Sequence, residues 1–147
     1  MSVVNVSVEI DASPEKVWTV VSDPRNLPRW DRHIVRVEGV PQAGIKVGSE
    51  YATTVRFMGV RAGARSTVVE LRPNRYAKVH VRGALDADVE TWLDPLDGGR
   101  TRLRHRVNFR FKGGPLGELA ARAVNALGAP SLLKRGVEEQ KRQAEGG

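Results

Sequence analysis

Among the side chains able to exchange a proton near neutral pH, His105 stands first as a candidate acid or base. The bland alternative is a half-buried histidine hydrogen-bonded within a sheet. Tyr51 opens a strand and could donate to a ligand carbonyl, or serve as a plain rim aromatic. Arg65 and Arg82 lie on strands whose facing the pattern leaves open, as it does for His80. Turned inward, either arginine could hold a carboxylate or enolate oxygen. An unpaired buried arginine is costly, so an exposed position is expected for both. Glu70, Asp88 and Glu90 are acids that could pair with them.

Several other chemistries lack their parts. His33, His80 and His105 are the only histidines, and no two stand at ligand spacing on one helix, so no metal site is expected. The absence of cysteine removes disulfides, thiolate metal sites and cysteine nucleophiles together. Gly39, Gly44, Gly48 and Gly98-Gly99 fall in turns, outside the strand-to-helix setting of a phosphate or dinucleotide loop. No nucleophile elbow occurs. No cofactor is expected.

The elements that must position these residues follow from periodicity. Val4, Val6, Val8 and Ile10 alternate with polar residues, as a half-buried strand requires. Ser13 is placed to cap a helix that has Pro14 at its first position and Val17, Trp18, Val20 and Val21 at helical spacing. Asp23 can cap a second short helix reaching about Leu27, which Pro28 should break. Strands are then expected over Ile34–Val40, Tyr51–Met58, Ala64–Arg72, Tyr76–Gly83, Leu85–Leu93 and Arg100–Phe111. Short turns between them imply an antiparallel meander.

The last hairpin can be registered by its pattern. Pairing Leu93 with Thr101 sets Thr91 against Leu103, Val89 against His105 and Ala87 against Val107. The other face then sets Trp92 against Arg102, Glu90 against Arg104 and Asp88 against Arg106. One face is apolar and the other salt-bridged. This register turns His105 inward and Arg102, Arg104 and Arg106 outward, with Trp92 free to stack on Arg102.

Gly113-Gly114-Pro115 closes the last strand. Leu116, Leu119, Ala120, Ala123, Val124 and Leu127 then recur at helical spacing, and Pro130 should kink or split the helix before Leu132, Leu133 and Val137. A twisted sheet of six or seven strands curls, and the final helix is long enough to lie across its concave face. The expected fold is α+β, a helix grip formed by one domain over residues 1–147, with a cavity between sheet and helix.

The net charge of +7 invites a nucleic-acid interface. The arginines are spread through strands and helix ends, however, and no aromatic RNA-binding signature is present, so no nucleic-acid partner is expected. No apolar run approaches the roughly 18 residues of a membrane span, and nothing at the N-terminus reads as a signal peptide. A cytoplasmic monomer or homodimer is expected.

Four stretches together resemble the SRPBCC superfamily, also called START-like or Bet v 1-like, in its polyketide cyclase/dehydrase branch. They are Val8 to Trp18, Asp23-Pro24 through Leu27-Pro28-Arg29-Trp30, Gly98-Gly99-Arg100-Thr101-Arg102-Leu103, and Gly113-Gly114-Pro115-Leu116-Gly117. The resemblance spans about residues 3–144. It implies a deep pocket for lipids, sterols, polyketides or similar apolar metabolites. It transfers no shared catalytic motif, and fold alone does not give function. The expected pocket lining is Trp30, Tyr51, Val55, Val89, Thr91, His105, Val107, Leu119, Ala123 and Leu127, with Trp30 either walling the entrance or packing against the first helices. Two functions stay open: a carrier or sequestering protein, and a cyclase, aromatase or dehydratase using His105 or Tyr51 for proton transfer. A third is an interaction module using the basic face, with Leu132-Leu133 as a self-association patch.

Overall fold

The period-two pattern of the first strand sets the frame for a computed structural model that describes residues 2–57, 59–83, 85–111 and 129–146. The strand β1 spans Ser2–Ile10, with Val4 and Ile10 buried. The helix α1, Pro14–Val21, starts where Ser13 accepts a hydrogen bond from the Lys16 N–H at 3.3 Å. Asp23 caps the next turn by accepting from the Arg25 N–H at 3.0 Å. That turn is a short 3-10 segment, Pro24–Asn26, followed directly by α2, Leu27–Trp30. Pro28 therefore does not break a helix here. It lies in the first turn of α2, where a missing N–H leaves no bond unmade.

The remaining strands are β2 (Ile34–Glu38), β3 (Glu50–Phe57), β4 (Val60–Arg72), β5 (Tyr76–Gly83), β6 (Leu85–Leu96) and β7 (Arg100–Phe111). The helix α3, Ala129–Gly146, closes the described chain, with Pro130 in its first turn. The strands form one seven-stranded antiparallel sheet in the order β1-β7-β6-β5-β4-β3-β2. Bulges between Ile34 and Arg36 and between Val68 and Glu70 add local twist. The chain thus makes the curved sheet of a helix grip, with α3 packed along β1 and both α1 and α2 against α3.

The β6–β7 hairpin corrects the expected register. Leu93 pairs with Leu103, Thr91 with His105, Val89 with Val107 and Ala87 with Phe109. β6 runs on to Leu96, and the turn contracts to Asp97–Gly99, where Gly98 and Gly99 take φ values of 78° and 74° that favour glycine. The slip is two residues, one full pleat, so every side chain keeps its face while its partner changes. Trp92 meets Arg104, whose guanidinium carbon lies 4.9 Å from the indole centroid. Glu90 stands opposite Arg106 and Asp88 opposite Asn108. Arg102 reaches Glu9 of β1 at 3.1 Å, and Arg104 reaches Asp94 at 2.6 Å.

The core is packed unevenly. Ile10, Ala12, Val17, Leu93, Leu103, Val137 and Ala144 form a sealed cluster at one end, with Ile10, Val17 and Leu103 at 0% exposure. There Thr101 donates to the Ala12 carbonyl at 2.7 Å. A second cluster gathers Val4, Ala87 and Phe109, with Val6, Val81, Val107 and Leu133 against it. Leu133 is thus core packing rather than part of a self-association patch; the side chain of Leu132 lies outside the described residues.

Candidate functional site

Period-two alternation brings Val89 and Thr91 of β6 and His105 and Val107 of β7 onto the concave face, where His105 meets Gln140 of α3. All four are half-buried, unlike the sealed cluster beside them. Val79 and Val81 of β5 continue the row and are half-buried too. Val55 of β3 stands between Ile34 and Ala62 on the far side of the sheet, also half-buried. Leu119, Ala123 and Leu127 lie outside the described residues, as does the rest of the expected stripe from Leu116 to Leu127.

His105 is the polar centre of this face. Its Nε2 lies 2.8 Å from Gln140 Oε1 on α3, and its Nδ1 lies 2.9 Å from Thr91 Oγ1. A carboxamide oxygen can only accept, so Nε2–H donates to it; in the neutral ring the Thr91 hydroxyl then donates to Nδ1. Burial favours that neutral form. Burial lowers its pKa below the ordinary value, and the Gln140 bond opposes this only in part. Both ring nitrogens are engaged inside the protein.

Tyr51 is buried at 8% exposure, so it is not the rim aromatic that its place at a strand start allowed. It faces Ser66 across the β3–β4 pair. Burial raises the phenol pKa, and the nearby Ser66 hydroxyl offsets part of the rise. Thr53 and Ser66, both buried, add hydroxyls to this wing of the sheet.

Trp30 is buried at the end of α2, where its Nε1–H donates to Gln143 Oε1 at 3.1 Å. Its carbonyl oxygen lies 3.4 Å from where a Cβ on Gly136 would stand, so that glycine lets α2 and α3 approach closely. Gln140 and Gln143 are not among the site residues that the sequence pattern singles out. Their one available signal was a spacing of three on a helix, which puts both on adjoining positions of one face.

The outward residues divide as expected for the arginines. Arg65 and Arg82 are exposed and stand opposite each other on β4 and β5. His80 also faces outward, with Nδ1 2.7 Å from Asp88 Oδ1. His33 lies beside Asp31 at 3.2 Å. A cleft of about 510 Å3 opens near the β4–β5 turn and is lined by Glu70, Tyr76, Glu90, Trp92 and Asp94 among others. Its key groups are already committed: the Tyr76 hydroxyl donates to Glu90 at 2.7 Å, and Asp94 holds Arg104. No cluster of three metal-ligating side chains occurs among the described residues.

A family described as polyketide cyclase / dehydrase and lipid transport matches residues 1–145. The chain belongs to that family. Solved structures resemble this cyclase/dehydrase and lipid-transport fold at low identity. A protein from Thermus thermophilus shares 15% identity at a TM-score of 0.78, covering 97% of each chain. The Zhui aromatase/cyclase from a Streptomyces species shares 18% identity at 0.70, covering 96% of this chain and 94% of its own. A START superfamily protein from Mycobacterium smegmatis shares 20% identity at 0.64, covering 93% of this chain and 97% of its own. No curated protein sequence matches the chain. At such identities the likeness speaks for the fold alone. No helix among the described residues of this family member is long and apolar enough to cross a membrane.

Proposed function

We propose that this chain binds a small hydrophobic metabolite between the concave face of its sheet and α3, and acts as a carrier or sequestering protein without covalent chemistry. The observation that carries this proposal is the contrast between the two ends of the grip. Ile10, Leu93, Leu103 and Val137 are sealed, whereas Val81, Val89, Thr91, His105 and Val107, on the face where His105 meets Gln140 of α3, keep accessible surface. Ligand sites are mostly apolar with a few placed polar groups, and this face fits that description.

The polar groups favour a carrier over an enzyme. A general acid or base must offer a nitrogen or oxygen to its substrate. Both nitrogens of His105 are taken by Thr91 and Gln140, and Tyr51 is buried opposite Ser66.

Native mass spectrometry of the purified protein tests for a co-purified apolar guest, and titration with decanol tests binding directly. Saturable 1:1 binding is the expected result; no binding by either method would sink the proposal. Turnover of a poly-β-keto thioester that falls in both His105→Ala and Tyr51→Phe would instead favour a cyclase, aromatase or dehydratase.

A further inference from the structure

Arg29 on α2, Arg32 just after it and Arg135 on α3 line one cleft of about 190 Å3 together with Trp30 and Glu139. Glu139 is the single acid of the lining, and Arg142 already holds it at 3.1 Å. Among the described residues, the side chains of Arg29, Arg32 and Arg135 have neither a hydrogen-bond nor an ion-pair partner. Like charges gathered without a counter-ion repel one another. An oxyanion entering the cleft relieves that repulsion, and guanidinium forks grip its oxygens in pairs.

Charge and size narrow the anion. Three guanidiniums face one engaged carboxylate. A phosphate monoester, with about two negative charges at neutral pH, balances this better than a carboxylate with one. The cleft is smaller than the roughly 300 Å3 of a pocket that encloses a whole drug-sized ligand, so it suits a head group. Trp30 of its wall bonds Gln143, one turn along α3 from the Gln140 that meets His105.

We propose that this cleft holds the phosphate head group of an amphiphile whose apolar tail enters the pocket; the tail's placement rests on the function proposed above, the head group's does not. The test is calorimetric titration with decyl phosphate below its micelle concentration, with decanol and with inorganic phosphate. Wild-type protein is compared with the R29Q/R32Q/R135Q variant, whose three changes are on exposed side chains. Wild type is expected to prefer decyl phosphate to decanol by about tenfold or more at low salt, in line with charged hydrogen bonds. The variant should lose the preference and keep its decanol affinity. Added salt should shrink the preference in the wild type. A single Arg135→Gln change, expected to lose part of the preference, covers the case of a misfolded triple variant.

Equal wild-type affinity for decyl phosphate and decanol overturns the head-group site and leaves the apolar pocket standing. Preference that survives in the triple variant overturns it as well. Inorganic phosphate binding as tightly as decyl phosphate, with no decanol binding, means a free-anion site and overturns both proposals.

Discussion

His105 Nε2 and Gln140 Oε1 meet at 2.8 Å, and this bond ties the last strand to the closing helix across the concave face. It closes a chain that begins with the Thr91 hydroxyl, which fills Nδ1. A histidine so held is a latch between sheet and helix.

Gln140→Leu leaves the half-buried Nε2–H without its acceptor. The expected loss of stability is roughly 1–3 kcal/mol, the desolvation penalty of an orphaned donor. Urea denaturation of both proteins measures it, and a midpoint unchanged from wild type would show that the latch carries no weight.

Stability should fall in acid through the same histidine. The unfolded imidazole titrates near 6.5, and burial pulls the folded value lower. Between the two values the unfolded chain binds more protons, so the contribution is complete above pH 6.5 and is lost as pH falls toward the folded value. Denaturation midpoints taken from pH 7.5 to pH 5 should drop more steeply for wild type than for His105→Gln. Parallel profiles would argue against a neutral, buried His105.

The two ends of the grip should respond oppositely to volume changes. Leu103→Ala at the sealed end should lose about 2–5 kcal/mol, as large-to-small changes in a packed core do. Val89→Phe on the half-buried row should escape most of the roughly 1–3 kcal/mol penalty of overpacking. It should also weaken decanol binding. A full overpacking penalty at Val89 with unchanged binding would mean that no space lies over that residue.

Both tyrosines should ionise late. Burial, the Glu90 hydrogen bond and nearby carboxylates push Tyr76 up to about 12, and burial raises Tyr51. Tyrosinate absorbance should therefore stay low at pH 10 in the folded protein and rise normally in denaturant. Tyr76→Phe should abolish the late step near pH 12; its persistence in that variant would assign it to Tyr51.

Much of the frame was legible in the residues alone. The inward face of β1, the Ser13 and Asp23 caps, the outward turn of Arg102 and Arg104 and the inward turn of His105 all follow from a period of two or from contacts within a turn. Such signals survive even a wrong pairing: the hairpin slipped by two residues, yet each side chain kept its face. The resemblance to the START-like superfamily supplied the helix grip that periodicity could only suggest.

Tertiary structure decided who meets whom. Gln140 reaches His105 from 35 residues away and Gln143 reaches Trp30 from 113, separations at which no local pattern operates. Arg29 and Arg135 come from two helices far apart in the chain, with Arg32 just after the first, and Gly136 lets those helices close. Local chemistry chooses which face a side chain takes, because backbone geometry repeats every few residues. Its partner depends on how α3 docks against the sheet and α2, which is settled only when distant segments pack.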